Sequence, residues 1–224
     1  MKKKNNFFLW LLLFIFLTTY SLDSIKITKS SFFPVKIIKI EGVINANKEE
    51  IEKRFSQFNG KSIIFISRSQ FKEISRGLKF IKELQVKKIY PDKIKLNVIE
   101  YKPMGVFVDK NKKLLLLEGG GIIENYENNK FNHLPLVIGN GAQKKFHLFY
   151  QSLENVNFES SLVKQFNYFD INRWDILLKD GKILKLPNNN YQNSLEKFLS
   201  IYKKEGFSTF KVFDFRISGE LILK

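Results

Sequence analysis

Cysteine is absent from the 224 residues, and histidine and methionine occur only twice each. With no thiol, disulfide bridges, thiolate metal sites and cysteine nucleophiles are all excluded. The two histidines, His133 and His147, lack the spacing of a metal-ligand pair, and no third ligand accompanies them. No metal and no cofactor is expected. Arginine is scarce as well: Arg54, Arg68, Arg76, Arg173 and Arg216 are five among 38 basic residues. The formal charge of +16 therefore comes mainly from lysine, whereas nucleic-acid readout favours the bidentate guanidinium. The lysines alternate with Ile, Leu and Phe along every segment, as solvated outer faces do, so nucleic acid is not an expected partner. What the charge leaves open is attraction to an anionic membrane surface or cell wall.

Catalytic patterns are missing too. Gly119-Gly120-Gly121 is followed by no Gly-Lys-Ser/Thr and reads as a strand-linking turn. Asp170, Asp175 and Asp180 are spread over strands and a turn, where paired acid/base carboxylates would converge on a pocket. No serine-nucleophile signature occurs. A non-enzymatic role is the expectation.

What is present begins with Lys2, Lys3 and Lys4 ahead of an uncharged apolar run over 7–22 that includes Trp10, Phe14 and Phe16. This run is near the short limit for a membrane span, which takes roughly 17 to 25 residues. A cleaved signal peptide is the alternative, but no small-x-small cleavage site follows Leu17. The reading is a cytoplasmic tail over 1–6, a transmembrane helix over 7–22 with its N-terminus inside by the positive-inside rule, and a polar linker over 23–34.

A small α/β unit follows over 35–103. Its first strand, 35–41, ends at Gly42. Asn47 caps a helix with Glu49 and Glu50 in its first turn and Ile51 and Phe55 on the buried side. An apolar run, Ile63-Ile64-Phe65-Ile66, precedes a second helix capped by Ser67 or Ser69, in which Phe71, Ile74 and Leu78 recur at helical spacing. Leu84, Val86 and Ile89 lead to the Tyr90-Pro91-Asp92 turn, after which Ile94, Leu96 and Val98 alternate with Lys93, Lys95 and Asn97 as a hairpin with one wet face. Ile38, Ile40, Phe65 and Val98 are expected to point inward.

Over 104–224 the pattern turns to strands with flanking helices. Strands are expected over 105–108, 114–117, 122–124 and 134–139, then a helix over 142–154 with Phe146, Phe149, Tyr150 and Leu153 on one face. A meander over 166–171, 174–178 and 182–186 turns at Asp180-Gly181, read as type I′. A helix over 191–205 and two closing strands, 211–217 and 220–223, complete the chain.

These residues carry a resemblance. Ile38-x-Ile40-x-Gly42, Gly60 ahead of Ile63 to Ile66, Tyr90-Pro91 and Val98-x-Glu100-x-x-Pro103 resemble the single POTRA domain of the bacterial FtsQ/DivIB division family. Trp174 to Gly181 and Asp214-Phe215-Arg216 resemble the β-domain that follows it. The resemblance implies an α+β protein: a transmembrane helix, a POTRA domain of β-α-α-β-β order with a three-stranded sheet and two helices, and a mostly antiparallel β-domain. It implies a bitopic inner-membrane scaffold at the division septum, with its bulk in the periplasm. Such a scaffold binds partners resembling FtsB and FtsL and links early and late division proteins. A POTRA-bearing component of outer-membrane protein assembly or secretion is the alternative. The implied partner-binding residues are Arg173, Arg216, Ile217, Gly219, Glu220, Leu221, Ile222, Leu223 and Lys224, with the last strand lending its edge to a partner strand. Where many members carry an aromatic after the Arg and a Trp near the strand's end, this chain has Ile217 and Lys224. Proline at Ile222 is expected to remove an edge donor.

Overall fold

A computed structural model of the chain describes residues 7–19, 32–109, 112–124, 126, 128–217 and 219–224. Helix α1, Phe7–Thr19, is uncharged throughout, and its side chains from Phe8 to Leu17 are exposed on every side. Its 13 residues rise about 20 Å at ~1.5 Å per residue. Among the described residues no helix is long and apolar enough to cross a membrane. The expected span ran on to 22, and residues 20–22 lie outside the described residues, as do 1–6 and most of the linker. From here the chain forms two compact units: one holds the residues up to Leu78 and Glu83–Ile99, the other Lys79–Lys82 and Glu100–Lys224.

The first unit contains β1 (Ile37–Glu41), α2 (Lys48–Phe55), α3 (Arg68–Ser75), β2 (Ile81–Ile89) and β3 (Lys93–Glu100). The sheet order is β1-β3-β2, with β1 parallel to β3 and Ile38 beside Ile94. Both helices start where capping chemistry places them. The Asn47 side chain accepts from the Glu50 N–H at 3.0 Å, and Ser67 with Gln70 forms a reciprocal capping box that satisfies otherwise orphaned helix donors. Ile94, Leu96 and Val98 are buried by the period-two alternation of β3, and Ile51, Phe55, Phe58 and Phe71 complete the core. Ile38 and Ile40 are only half-buried, since β1 is a sheet edge.

Phe65 is a correction: it is 54% exposed. The Phe65 N–H donates to the Ser62 carbonyl at 3.2 Å, so the run 62–66 is a turn. A turn puts residues three apart on one side. Ile63 and Ile66 therefore go in, and Ile64 and Phe65 go out.

The second unit contains β4 (Pro103–Asp109), β5 (Lys112–Leu117), β6 (Ile122–Ile123), β7 (Leu136–Ile138), α4 (Ala142–Asn155), β8 (Val163–Phe169), β9 (Arg173–Leu178), β10 (Ile183–Lys185), α5 (Tyr191–Tyr202), β11 (Val212–Asp214) and β12 (Ile222–Leu223). They form one nine-stranded sheet in the order β12-β11-β10-β9-β8-β7-β4-β5-β6. Most neighbours are antiparallel, but β4–β7, β7–β8 and β10–β11 are parallel. Phe146, Phe149, Tyr150 and Leu153 are buried on one face of α4, and Leu195 and Phe198 on α5. The core centres on aromatic rings: Trp174 stacks on Phe149 with centroids 4.5 Å apart, and Phe166 meets Phe149 edge-on at 5.7 Å.

The hairpin between β9 and β10 departs from the type I′ expectation. Gly181 takes φ 88° while Asp180 keeps a negative φ, and the Gly181 N–H closes onto the Leu178 carbonyl at 3.1 Å. A type I′ turn needs positive φ at both central residues. The Asp180 carboxylate instead accepts from the Lys182 N–H at 3.0 Å and from the Tyr202 hydroxyl at 2.8 Å. The last helix and the closing strands are shorter than expected. Tyr202 ends α5, and a 3-10 turn over Glu205–Phe207 follows.

Candidate functional site

Strand β12 is the edge of the nine-stranded sheet, and its hydrogen-bond phase decides what that edge offers. The Lys224 N–H donates to the Val212 carbonyl at 3.1 Å, and the Val212 N–H returns a bond to the Lys224 carbonyl at 2.9 Å. The Phe215 N–H bonds to Lys185 on the other side at 2.9 Å. In an antiparallel ladder bonded and non-bonded pairs alternate. Asp214 and Ile222, which are in register, are thus the next bonded pair. The N–H and C=O groups of Leu221 and Leu223 point away from β11 and, among the described residues, have no strand beside them.

This phase overturns one expectation. The Ile222 N–H faces inward, so proline there breaks the β11–β12 ladder and removes nothing from the outer edge.

The side chains sort into two rows across the strands. On the core face Ile176, Leu184, Phe213 and Leu223 stand in register, and the first three are fully buried. On the outer face the row is Asp175, Lys185, Asp214 and Ile222. Two residues along the strand lie on the same face, which brings Arg173 beside Asp175 and Arg216 beside Asp214. The Arg216 Nε lies 2.8 Å from the Asp214 carboxylate and its Nη2 2.6 Å, and the Arg216 N–H also donates at 3.1 Å. Arg173 stacks on the Phe169 ring at 4.1 Å, and its Nε is 3.4 Å from the Asp175 carboxylate. Poor alignment leaves Arg173 Nε and Asp175 Oδ1 buried with no hydrogen bond among the described residues.

The two carboxylates titrate in opposite directions. The Arg216 guanidinium holds the Asp214 carboxyl below the ordinary value of 3.8. Burial pushes Asp175 up, against the pull of Arg173, Lys185 and Arg216. A depressed carboxyl contributes stability that is full above its unfolded value and lost as pH falls through the folded one. Asp214→Asn should therefore destabilise the chain by about 1 to 2 kcal/mol at neutral pH, the magnitude of a charge-assisted bond with one half-exposed partner. The difference from wild type should shrink steadily as pH drops below 4. Denaturant melts across that range check it, and a difference that does not change with pH would show that the pair adds nothing.

The structure brings Arg173, Arg216, Ile217 and Ile222 together around a surface groove of about 430 Å³, with Asp214, Ile171, Pro187 and Asn188. Gly219 and Glu220 line an adjoining depression with Arg216 and Ile217. Leu221 and Leu223 turn their side chains to the core and their backbone to the edge. Lys224 stands exposed at the end of the strand. Ile171, Pro187, Asn188 and Lys185 were not among the expected site residues. The two mirrored motifs, Arg173-x-Asp175 and Asp214-x-Arg216, were a usable signal, because opposite charges two apart on a strand form a same-face pair.

Residues 33–101 match the family described as POTRA domain, FtsQ-type, and residues 106–216 match the family described as cell division protein FtsQ/DivIB, C-terminal. The cell division protein FtsQ of Bradyrhizobium diazoefficiens is 23% identical over 190 residues, covering 85% of this chain and 56% of that protein. The cell division protein FtsQ of Rickettsia bellii is 28% identical over 169 residues, covering 73% of this chain and 61% of that one. The chain thus spans somewhat more than half the length of these curated relatives. Among solved structures, the major extracytoplasmic domain of the division protein DivIB from Geobacillus stearothermophilus aligns with 46% of this chain and 92% of that one, at 13% identity and a TM-score of 0.33. Two successive family matches running from 33 to 216 with a short break make this chain a member of the FtsQ/DivIB family of cell division proteins.

Proposed function

We propose that the chain is a non-catalytic, single-pass inner-membrane scaffold of the division machinery. In this reading α1 is the anchor, with the N-terminus cytoplasmic and the bulk periplasmic at the septum. The second unit captures partners resembling FtsB and FtsL and so links early and late division proteins. The observation that carries the binding mode is the backbone phase of β12: two residues, Leu221 and Leu223, present N–H and C=O outward beside a groove holding Arg173 and Arg216. A partner strand laid along that edge gains main-chain bonds, and the groove selects its side chains. The Arg216 guanidinium stays anchored to Asp214 through its Nε and Nη2, and in this reading its Nη1 serves the partner. Support for the anchor comes from α1 itself, since a helix apolar all round requires apolar surroundings.

Leu223→Pro tests the edge. The substitution removes an outward N–H, leaves the Lys224–Val212 bonds in place, and is of a kind that edge strands tolerate. It should weaken co-purification of FtsB-like and FtsL-like partners with the full chain at least about tenfold. Leu223→Ala trims the same side chain but keeps the N–H, and should retain the partners. Equal capture by the proline and alanine variants would exclude β12 as the docking edge.

A further inference from the structure

We propose that the end of the first unit's sheet at which the chain arrives from α1 is a docking surface for an anionic lipid bilayer. Phe33, Phe65 and Tyr90 seat at the headgroup boundary, and Lys36, Lys61 and Lys93 face the headgroups. The proposal rests on the reading of α1 as a membrane anchor and adds a second, independent contact with the same membrane.

Three segments are tied together at this end. The Ile63 N–H donates to the Phe33 carbonyl at 3.0 Å, and the Val35 N–H to Lys61 at 2.9 Å, which joins the arriving chain to the 60–66 loop. The Lys36 N–H donates to the Asp92 carbonyl at 2.9 Å and joins it to the Tyr90–Asp92 turn. The Lys88 ammonium donates to the Ile64 carbonyl at 3.3 Å and closes the third side. On these bonded segments three aromatic residues point outward: Phe33 is 47%, Phe65 54% and Tyr90 60% exposed. Phe65 is outward because the turn places it there, while Ile63 and Ile66 fill the core from the same loop. Among the described residues of the unit nothing covers these rings.

Charge selects the occupant. The segments 32–37, 60–66 and 88–93 carry Lys36, Lys61, Lys88 and Lys93 against one acid, Asp92. The far end of the same sheet carries Glu41, Glu83 and Glu100 together with Lys82, and Glu41 is ion-paired to Lys39 and Lys95. Aromatic rings interleaved with lysine stems suit an interface that is apolar below and anionic above, because the rings and methylenes bury while the ammonium groups reach the phosphates. Each lysine near such a surface adds to the attraction, which falls off within a Debye length. Chain length supplies the proximity. Residues 20–31 are the only covalent link between α1 and Phe32, and at about 3.5 Å per residue they reach no more than about 45 Å. A tether this short gives a weak interfacial contact a high effective concentration.

The absence of cysteine makes a direct test simple, since one introduced cysteine carries the only label. Full-length Phe65→Cys, Ile44→Cys and Ile15→Cys chains, each labelled with an environment-sensitive fluorophore, are reconstituted into bilayers containing spin-labelled lipid. Some bilayers also contain phosphatidylglycerol and others contain phosphatidylcholine alone. The Phe65 label should be quenched several-fold more than the Ile44 label at the other end of the sheet, and more with phosphatidylglycerol than without. Replacing Lys36, Lys61 and Lys93 by Gln should remove that lipid dependence, and a Tyr90→Cys label should repeat the Phe65 result if the first substitution perturbs the loop. A Phe65 label quenched no more than Ile44 while Ile15 is quenched overturns the docking surface and leaves the anchor standing. A Phe65 label shielded from water yet unquenched by lipid means that protein covers this face, which also overturns it. Quenching at Phe65 without quenching at Ile15 keeps the docking surface and removes the anchor.

Discussion

Truncating Phe55 to alanine should cost about 3 to 5 kcal/mol of stability, while Phe65→Ala should change it by less than about 0.5 kcal/mol. Both rings belong to the first unit, Phe55 at the end of a charged amphipathic helix and Phe65 in an apolar run. Phe55 has no exposed surface, and its ring lies 6.0 Å from Phe58 and 6.2 Å from Phe71. Removing it leaves a cavity among rigid rings that cannot collapse to fill it, so lost contacts add to lost transfer energy. Phe65 is already more than half in solvent. Chemical denaturation of the two variants beside wild type decides the matter. Comparable losses at both sites would contradict the turn that sends Ile63 inward and Phe65 outward. If Phe55→Ala does not accumulate, Phe55→Leu should still cost more than Phe65→Ala.

The second large effect is expected at Gly139, which closes β7 with φ 125°. A Cβ there would run into the Tyr168 carbonyl of the neighbouring strand β8. Two penalties combine: an alanine resists that backbone conformation, and the atom it meets is main chain that the β7–β8 and β8–β9 pairings hold in place. Gly139→Ala should destabilise by about 3 kcal/mol or more. Gly141→Ala is the contrast. It also has positive φ, 73°, but nothing lies within 4 Å of the added atom, so only the conformational cost of about 1 kcal/mol remains. Amide exchange on β7 and β8 should accelerate in the first variant and barely change in the second. Equal effects would show that φ alone, and not the close approach of the two strands, makes glycine necessary at 139.

Much of the α+β architecture was written in local patterns. Asn47 and Ser67 announced their helices because an N-cap is a contact between residues three apart. Phe146, Phe149, Tyr150 and Leu153 announced a buried face because helical periodicity is local too. Strict alternation in Ile94, Leu96 and Val98 placed β3 correctly for the same reason. The basic, cysteine-free composition likewise limited the chemistry before any fold was known.

The tertiary structure decided what depends on residues far apart. The loop that sends Ile63 inward and Phe65 outward is held by the bond from the Ile63 N–H to the Phe33 carbonyl, 30 residues away in the chain. The outer row of Asp175, Lys185, Asp214 and Ile222 exists only because four strands, separated by loops and a helix, settled into one register. Which of Leu221, Ile222 and Leu223 offers its backbone to a partner was set by the bonded pair of Val212 and Lys224, since a shift of one residue exchanges inner and outer groups. Local sequence determines which residues form a strand and which of its faces is apolar. Pairing between distant segments determines the strand's neighbour and its phase, and in this protein that phase defines the exposed edge.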